Sequence, residues 1–165
     1  MADEVLDDNL YDDEDEDTLK DMYLTFRLGS EDYGLEIRYV TEIVGIQKIT
    51  EVPDMPNFVK GVVNLRGQVI PVIDVRLRFH MQARDYDERT CVIVVNIDTV
   101  QVGLVVDTVN EVRSIPEDCI CPAPKVATAA SSRYIRGMGK VGDEVKILLD
   151  ASKLLFESEL AAIAS

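Results

Sequence analysis

Tryptophan is absent from this 165-residue chain, histidine occurs once and cysteine three times. Each scarcity closes off a class of chemistry. A hydrolytic triad needs a base beside its nucleophile, and the only histidine, His80, lies in the polar connector Phe79-His-Met-Gln-Ala-Arg84 with no companion motif. Cys119 and Cys121 have no second ligand pair at zinc spacing, so no metal is expected. Three cysteines in a reducing setting predict three free thiols, with Cys91 buried in a strand and Cys119 and Cys121 on one strand face. No phosphate-cradling glycine loop appears. No apolar run reaches the roughly 18 residues a membrane helix needs. The opening Met-Ala-Asp-Glu has no basic or apolar leader, which predicts a cytoplasmic protein. Bases are also few: 17 against 31 acids, a formal charge of −14. That balance excludes a phosphate-binding nucleic-acid surface.

The negative charge is unevenly placed. Residues 1–21 hold eleven acids and one lysine, a net of −10, and Asp12 to Asp17 are six acids in a row. Such a segment repels itself and buries nothing, so residues 1–21 read as a disordered acidic tail. The remainder, at a net of −4, carries the fold.

What is present is a succession of short β-branched and aromatic runs with turn residues between them. The first spans Tyr23 to Leu28. Gly29-Ser-Glu-Asp-Tyr-Gly34 is read as the following turn, with a strand from Leu35. Ile37–Ile43 is read as a helical turn or two. Val59–Val63 and Val69–Val75 flank Asn64-Leu-Arg-Gly67 as a hairpin in which Asn64 and Gly67 accommodate positive φ. Arg66 projects from its tip with five donors. Cys91–Ile97 and Val102–Val106 form another hairpin around Asp98-Thr99, and Val145–Leu149 is a further strand. Asp150 caps a terminal helix over residues 150–165, whose stripe of Leu154, Leu155, Leu160 and Ile163 packs on the strands.

The chain repeats. At an offset of 69, Gly34-Leu35 matches Gly103-Leu104, and Val40, Glu42 and Ile43 match Val109, Glu111 and Val112. At an offset of 76, Phe58-Val-Lys-Gly61 matches Tyr134-Ile-Arg-Gly137, Val69 matches Val145, and Ile73-Asp74 matches Leu149-Asp150. The seven extra residues fall between Arg113 and Arg133, a lengthened loop. Two copies of about 70 residues, each too small to be stable alone, predict a mainly β protein of two small five-stranded barrels sharing an interfacial core. The first is placed roughly at 22–90 and the second at 91–150, with strand exchange open.

Several runs carry a resemblance. They are Tyr23-Leu-Thr-Phe-Arg-Leu-Gly29, Val40-Thr-Glu-Ile43, Phe58-Val-Lys-Gly-Val-Val-Asn-Leu-Arg-Gly67, Ile70-Pro-Val-Ile-Asp74, Gly103-Leu-Val-Val-Asp107 and Cys121-Pro-Ala-Pro124. The chain resembles the CheW family of bacterial chemotaxis coupling proteins over residues 22–157. The resemblance implies twin five-stranded barrels and a non-catalytic adaptor without cofactors. It implies two partners, the regulatory domain of a CheA-type histidine kinase and the cytoplasmic tip of chemoreceptors, with recruitment to membrane-associated receptor arrays. An adaptor of a non-flagellar chemosensory-type pathway is the alternative it leaves open. The positions matching the family's partner surfaces are Val40, Glu42, Ile43, Gly61, Asn64, Leu65, Arg66, Gly67, Gly103 and Val112. A second, ring-forming contact is implied at the Pro-Ala-Pro loop. Many relatives carry a basic residue just before that motif and an aromatic one shortly after. Here Cys121 and Val126 stand in those places.

Overall fold

The computed structural model describes residues 19–122 and 134–155. Among the described residues, eleven strands form two sheets. Sheet A has the order β8-β1-β2-β11-β10-β9 and sheet B the order β3-β6-β7-β5-β4. The strands are β1 (Met22–Leu28), β2 (Glu31–Glu36), β3 (Val40–Gly45), β4 (Val59–Leu65), β5 (Gln68–Asp74), β6 (Cys91–Ile97), β7 (Val100–Val106), β8 (Thr108–Ser114), β9 (Ile120–Cys121), β10 (Ile135–Val141) and β11 (Glu144–Leu149). Two short helices follow the fifth and eleventh strands, α1 (Val75–Arg78) and α2 (Ala151–Leu155).

Laid on the sequence repeat, the two orders are the same. Under the offsets of 69 and 76, β8-β1-β2-β11-β10 maps strand for strand onto β3-β6-β7-β5-β4. Each sheet takes the first hairpin of one copy and the last three strands of the other. A division at residue 90 therefore does not describe the sheets; the strands are exchanged. The reason is visible in the pairing. β2 ends its hairpin with a free edge, and the strand that covers it, in parallel, is β11, with Tyr33 opposite Ile147 and Gly34 opposite Leu148. β7 is covered in the same way by β5. Sheet A also gains β9, supplied by the lengthened segment of the second copy.

Alternation along each strand divides the apolar residues between two sides. Leu24, Phe26 and Leu28 of β1 meet Ile93, Val95 and Ile97 of β6 and Leu104 and Val106 of β7 in a core shared by the sheets. Sheet B keeps its own core of Val63, Ile70, Val72, Val92, Val94 and Val105. Sheet A keeps Tyr23, Ile115 and Leu148. Phe26, Tyr33, Phe79 and Tyr134 form a ladder of rings with centroids 5.7–5.9 Å apart, tying both copies to the connector.

Several local expectations change. The first turn is only Gly29-Ser30, because Glu31–Glu36 pairs fully with β1. Ile37–Tyr39 forms one 3-10 turn, and the residues after it are strand β3. β5 begins at Gln68 and ends at Asp74; Val75 starts α1, whose Leu77 amide donates to the Asp74 carboxylate. His80 takes φ +61 in the turn that follows α1. Cys91 is half-buried, its thiol donating to the Arg89 carbonyl. Cys119 closes a 3-10 turn, so only Cys121 of that pair is in a strand. All three cysteines are free thiols. Asp21 belongs to the fold, since its carbonyl accepts from the Ile115 amide at 2.8 Å. The Lys153 amide donates to Asp150, and Leu154 is buried in the shared core. Residues 1–18, Val126, Leu160 and Ile163 lie outside the described residues.

Candidate functional site

The hairpin β4–β5 is the most sharply specified turn in the chain. Its two central residues are Arg66 (φ +53) and Gly67 (φ +83). Positive φ at both matches the right-handed twist of the strands. Asn64 remains in β4, and its side chain accepts from the Gly67 amide at 2.9 Å. Asn64 and Gly67 thus build the turn, and Arg66 pays its backbone strain. The Arg66 guanidinium, 77% exposed, is ion-paired with Glu42 of β3. β3 and β4 are opposite edges of sheet B, so this pair links the two edges of the sheet.

Beside the pair is a recess of about 260 Å³ lined by Thr41, Glu42, Leu65, Arg66, Gln68, Ile70 and Gln101. Leu65 packs on the core of sheet B. The Gln101 side-chain carbonyl oxygen is buried with no hydrogen-bond partner among the described residues. Ile43 and Val69 are apolar and exposed nearby in sequence, on β3 and β5. Of the positions singled out, then, Glu42, Leu65 and Arg66 line one recess, with Asn64 and Gly67 shaping its rim.

The others go elsewhere. Val40 is half-buried at the start of β3 and packs on the shared core. Val112 is exposed, but on β8, the edge of sheet A. It occupies there the place Ile43 has in sheet B. Gly61 and Gly103 are buried. Gly61 sits at a register shift in β4 with φ +142, and a Cβ would lie 2.0 Å from the Thr50 carbonyl oxygen. That closeness lets Thr50 pair with Val62 along the β4 edge. Gly103 is in β7, and a Cβ there would lie 2.8 Å from Val92 Cγ1. Both glycines allow close packing where a side chain would clash. Cys121 is half-buried on β9, its thiol 3.6 Å from the Met138 carbonyl.

A second polar cluster fixes the connector. Asp107 accepts from Arg76 through Nε and Nη2 (2.7 and 2.9 Å), from the Gly29 amide (2.8 Å) and pairs with Arg84 (3.1 Å). Burial pushes its carboxyl up, but the Arg76 and Gly29 hydrogen bonds outweigh that and hold the pKa below the ordinary value. Tyr86 donates to Asp74 at 2.7 Å, and burial with that bond raises the phenol pKa.

Motif reading missed Thr41, Gln68 and Gln101. The repeat carried the signal, because it aligns Gln68 with Glu144 and Gln101 with Asp32, two residues of an ion network in sheet A.

The strand-exchanged pair of sheets, with its tip arginine and apolar edges, matches a known class: residues 22–159 fit the CheW-like domain, and the chain belongs to that family. It is 42% identical over 147 residues to the chemotaxis protein CheW of Klebsiella aerogenes, covering 89% of each chain. It is 31% identical to the chemotaxis protein CheW of Treponema pallidum, covering 86% of each. The crystal structure of the scaffolding protein TtCheW from Thermoanaerobacter tengcongensis superposes with a TM-score of 0.77 at 36% identity, over 84% of this chain and 94% of that one. Among the described residues no helix is long and apolar enough to cross a membrane.

Proposed function

We propose that this protein is a non-catalytic scaffold of bacterial chemotaxis, coupling chemoreceptors to a CheA-type histidine kinase in cytoplasmic arrays recruited to the membrane. One observation carries the reading beyond family membership. Arg66, exposed on a strained turn, is held by Glu42 from the opposite edge of its sheet. An ion pair that exposed adds little stability, so its value lies in presenting a fixed donor fork to a partner. The kinase's regulatory domain is assigned to this end of sheet B. Apolar residues on the two edges, Ile43 and Val112, suit contact with the apolar side of a receptor helix.

Arg66→Glu turns the donor fork into an acceptor of opposite charge. It should leave the circular dichroism spectrum and melting temperature nearly unchanged while weakening kinase binding about tenfold, a loss of about 1.4 kcal/mol at a steered interface. Pairing it with Glu42→Arg should restore part of the loss. Full receptor-dependent kinase control by Arg66→Glu in reconstituted arrays would overturn the reading. The ring contact is a separate element of it. With Cys121 and Val126 in place of a basic and an aromatic anchor, rings should close weakly without receptors. Cys121→Arg with Val126→Phe should strengthen closure, as judged by sedimentation; unchanged sedimentation would remove that loop from the interface.

A further inference from the structure

The correspondence between the sheets extends to single side chains. In sheet A, Arg27 lies opposite Asp32 across β1–β2; in sheet B, Asn96 lies opposite Gln101 across β6–β7. The parallel pairing of Leu148 with Gly34 corresponds to that of Val72 with Gly103. Two residues earlier along β11 and β5, Lys146 corresponds to Ile70, and two earlier again Glu144 corresponds to Gln68.

In sheet A this place is filled by charge. Lys146 is buried, and its Nζ donates to Asp32 at 2.6 Å and to Glu144 at 2.8 Å. Arg27 and Asn110 donate to the other Asp32 oxygen at 3.1 and 3.3 Å. In sheet B both acceptor positions keep a carbonyl, on Gln101 and Gln68, while the ammonium is replaced by Ile70. The consequence is a buried Gln101 side-chain oxygen with no donor among the described residues. A buried acceptor left unpaired is costly, and this one belongs to a residue lining the recess beside Glu42.

We propose that the recess is a socket for a lysine side chain of the protein partner, whose ammonium takes the place beyond the shorter Ile70 that the Lys146 ammonium takes in sheet A. The inference rests on the reading that the kinase's regulatory domain docks at this end of sheet B. Within the chain, Lys146 is the template for the occupant. Glu42 at the rim, already paired with Arg66, is the carboxylate of the recess, much as Asp32 in sheet A is shared between Arg27 and Lys146. The recess is lined by two glutamine amides rather than a buried carboxylate, which suits a compact ammonium better than the planar fork of an arginine. Sheet A, already satisfied internally, offers no such socket, so the two halves of a repeated chain are made unequal.

The test measures binding of the full chain to the purified kinase regulatory domain by calorimetry. Gln101→Leu removes the acceptor without changing charge. It should weaken binding about tenfold, the effect of one hydrogen bond to a charged group. Its melting temperature should stay the same or rise, because an unpaired buried carbonyl is gone. Ile70→Lys fills the socket from within and should abolish binding. Replacing partner lysines one at a time by methionine should reproduce the Gln101→Leu loss at one position, with no further loss when the two changes are combined. Wild-type affinity in Gln101→Leu overturns the socket, whether or not Ile70→Lys folds. Failure of the wild-type chain to bind the domain overturns instead the reading on which the socket rests.

Discussion

Asp107 shows how much one carboxylate can hold. Its side chain is 7% exposed and that of Arg76 15%, so truncating either leaves a largely buried charge without its partner. Asp107→Ala should cost about 3 kcal/mol in urea unfolding. The pH dependence follows from the direction of its shift. A carboxyl with a lowered folded pKa contributes stability that is complete above its unfolded value, about 3.9, and is lost as pH falls through the folded value. Asp107→Asn should therefore flatten the decline in stability below about pH 4. An acid-unfolding curve parallel to the wild type's would remove Asp107 from that decline. None of this was legible in the sequence. The run Gly103-Leu-Val-Val-Asp107 is a recognisable motif, but the partners of Asp107 are at positions 29, 76 and 84, and no local pattern joins them. Arg66 was legible, because a tight turn fixes its direction within four residues. Its pairing with Glu42, 24 residues away, was not.

Hairpins were the elements best read in advance, since period-two alternation and turn residues are local signals. β6–β7 around Asp98-Thr99 has positive φ at both turn residues, as a two-residue hairpin requires. Elements closed by distant neighbours were read poorly. Asp32 and Tyr33 look like turn residues in isolation, yet pairing of both with β1, and of Tyr33 with β11, makes them strand. Gly61 and Gly103 were placed among contact residues on resemblance, and the close approach of Thr50 and Val92 adds a packing reason that no local pattern shows. The glycines also separate two kinds of cost. At Gly67 nothing lies within 4 Å of an added Cβ, and only the positive φ opposes substitution. Gly67→Ala should cost about 1 kcal/mol. At Gly61 a backbone oxygen stands in the way as well, and Gly61→Ala should cost at least about 2 kcal/mol and free the 46–50 segment to exchange amide protons faster. Equal urea midpoints for the two variants would contradict this.

The whole molecule is a duplicated unit whose copies complete each other's sheets. The repeat was legible from its two offsets, and so were the mainly β class and a shared third core. The exchange was not, because the hydrophobic pattern of a strand does not say which copy supplies its neighbour. Cutting the connector between Gln82 and Ala83 should give two halves that co-purify as a folded pair. Neither half alone should be a folded monomer, as read by amide-proton dispersion, and a monomeric half with native-like dispersion would refute the exchange as the basis of stability. The parallel pairing of β2 with β11 reaches further, into synthesis. The β1–β2 hairpin lacks its neighbour until more than a hundred residues after it is made, when the final described strand follows. At bacterial elongation rates of about 5–20 residues per second, that is a delay of several seconds. Throughout it, β2 has an open edge and no finished core behind it, the condition in which nascent strands aggregate or are captured by chaperones. Chains stalled before Glu144 should remain protease-sensitive in the β1–β2 hairpin. The duplication that makes the mature scaffold rigid thereby concentrates its risk in the interval before the last strand arrives.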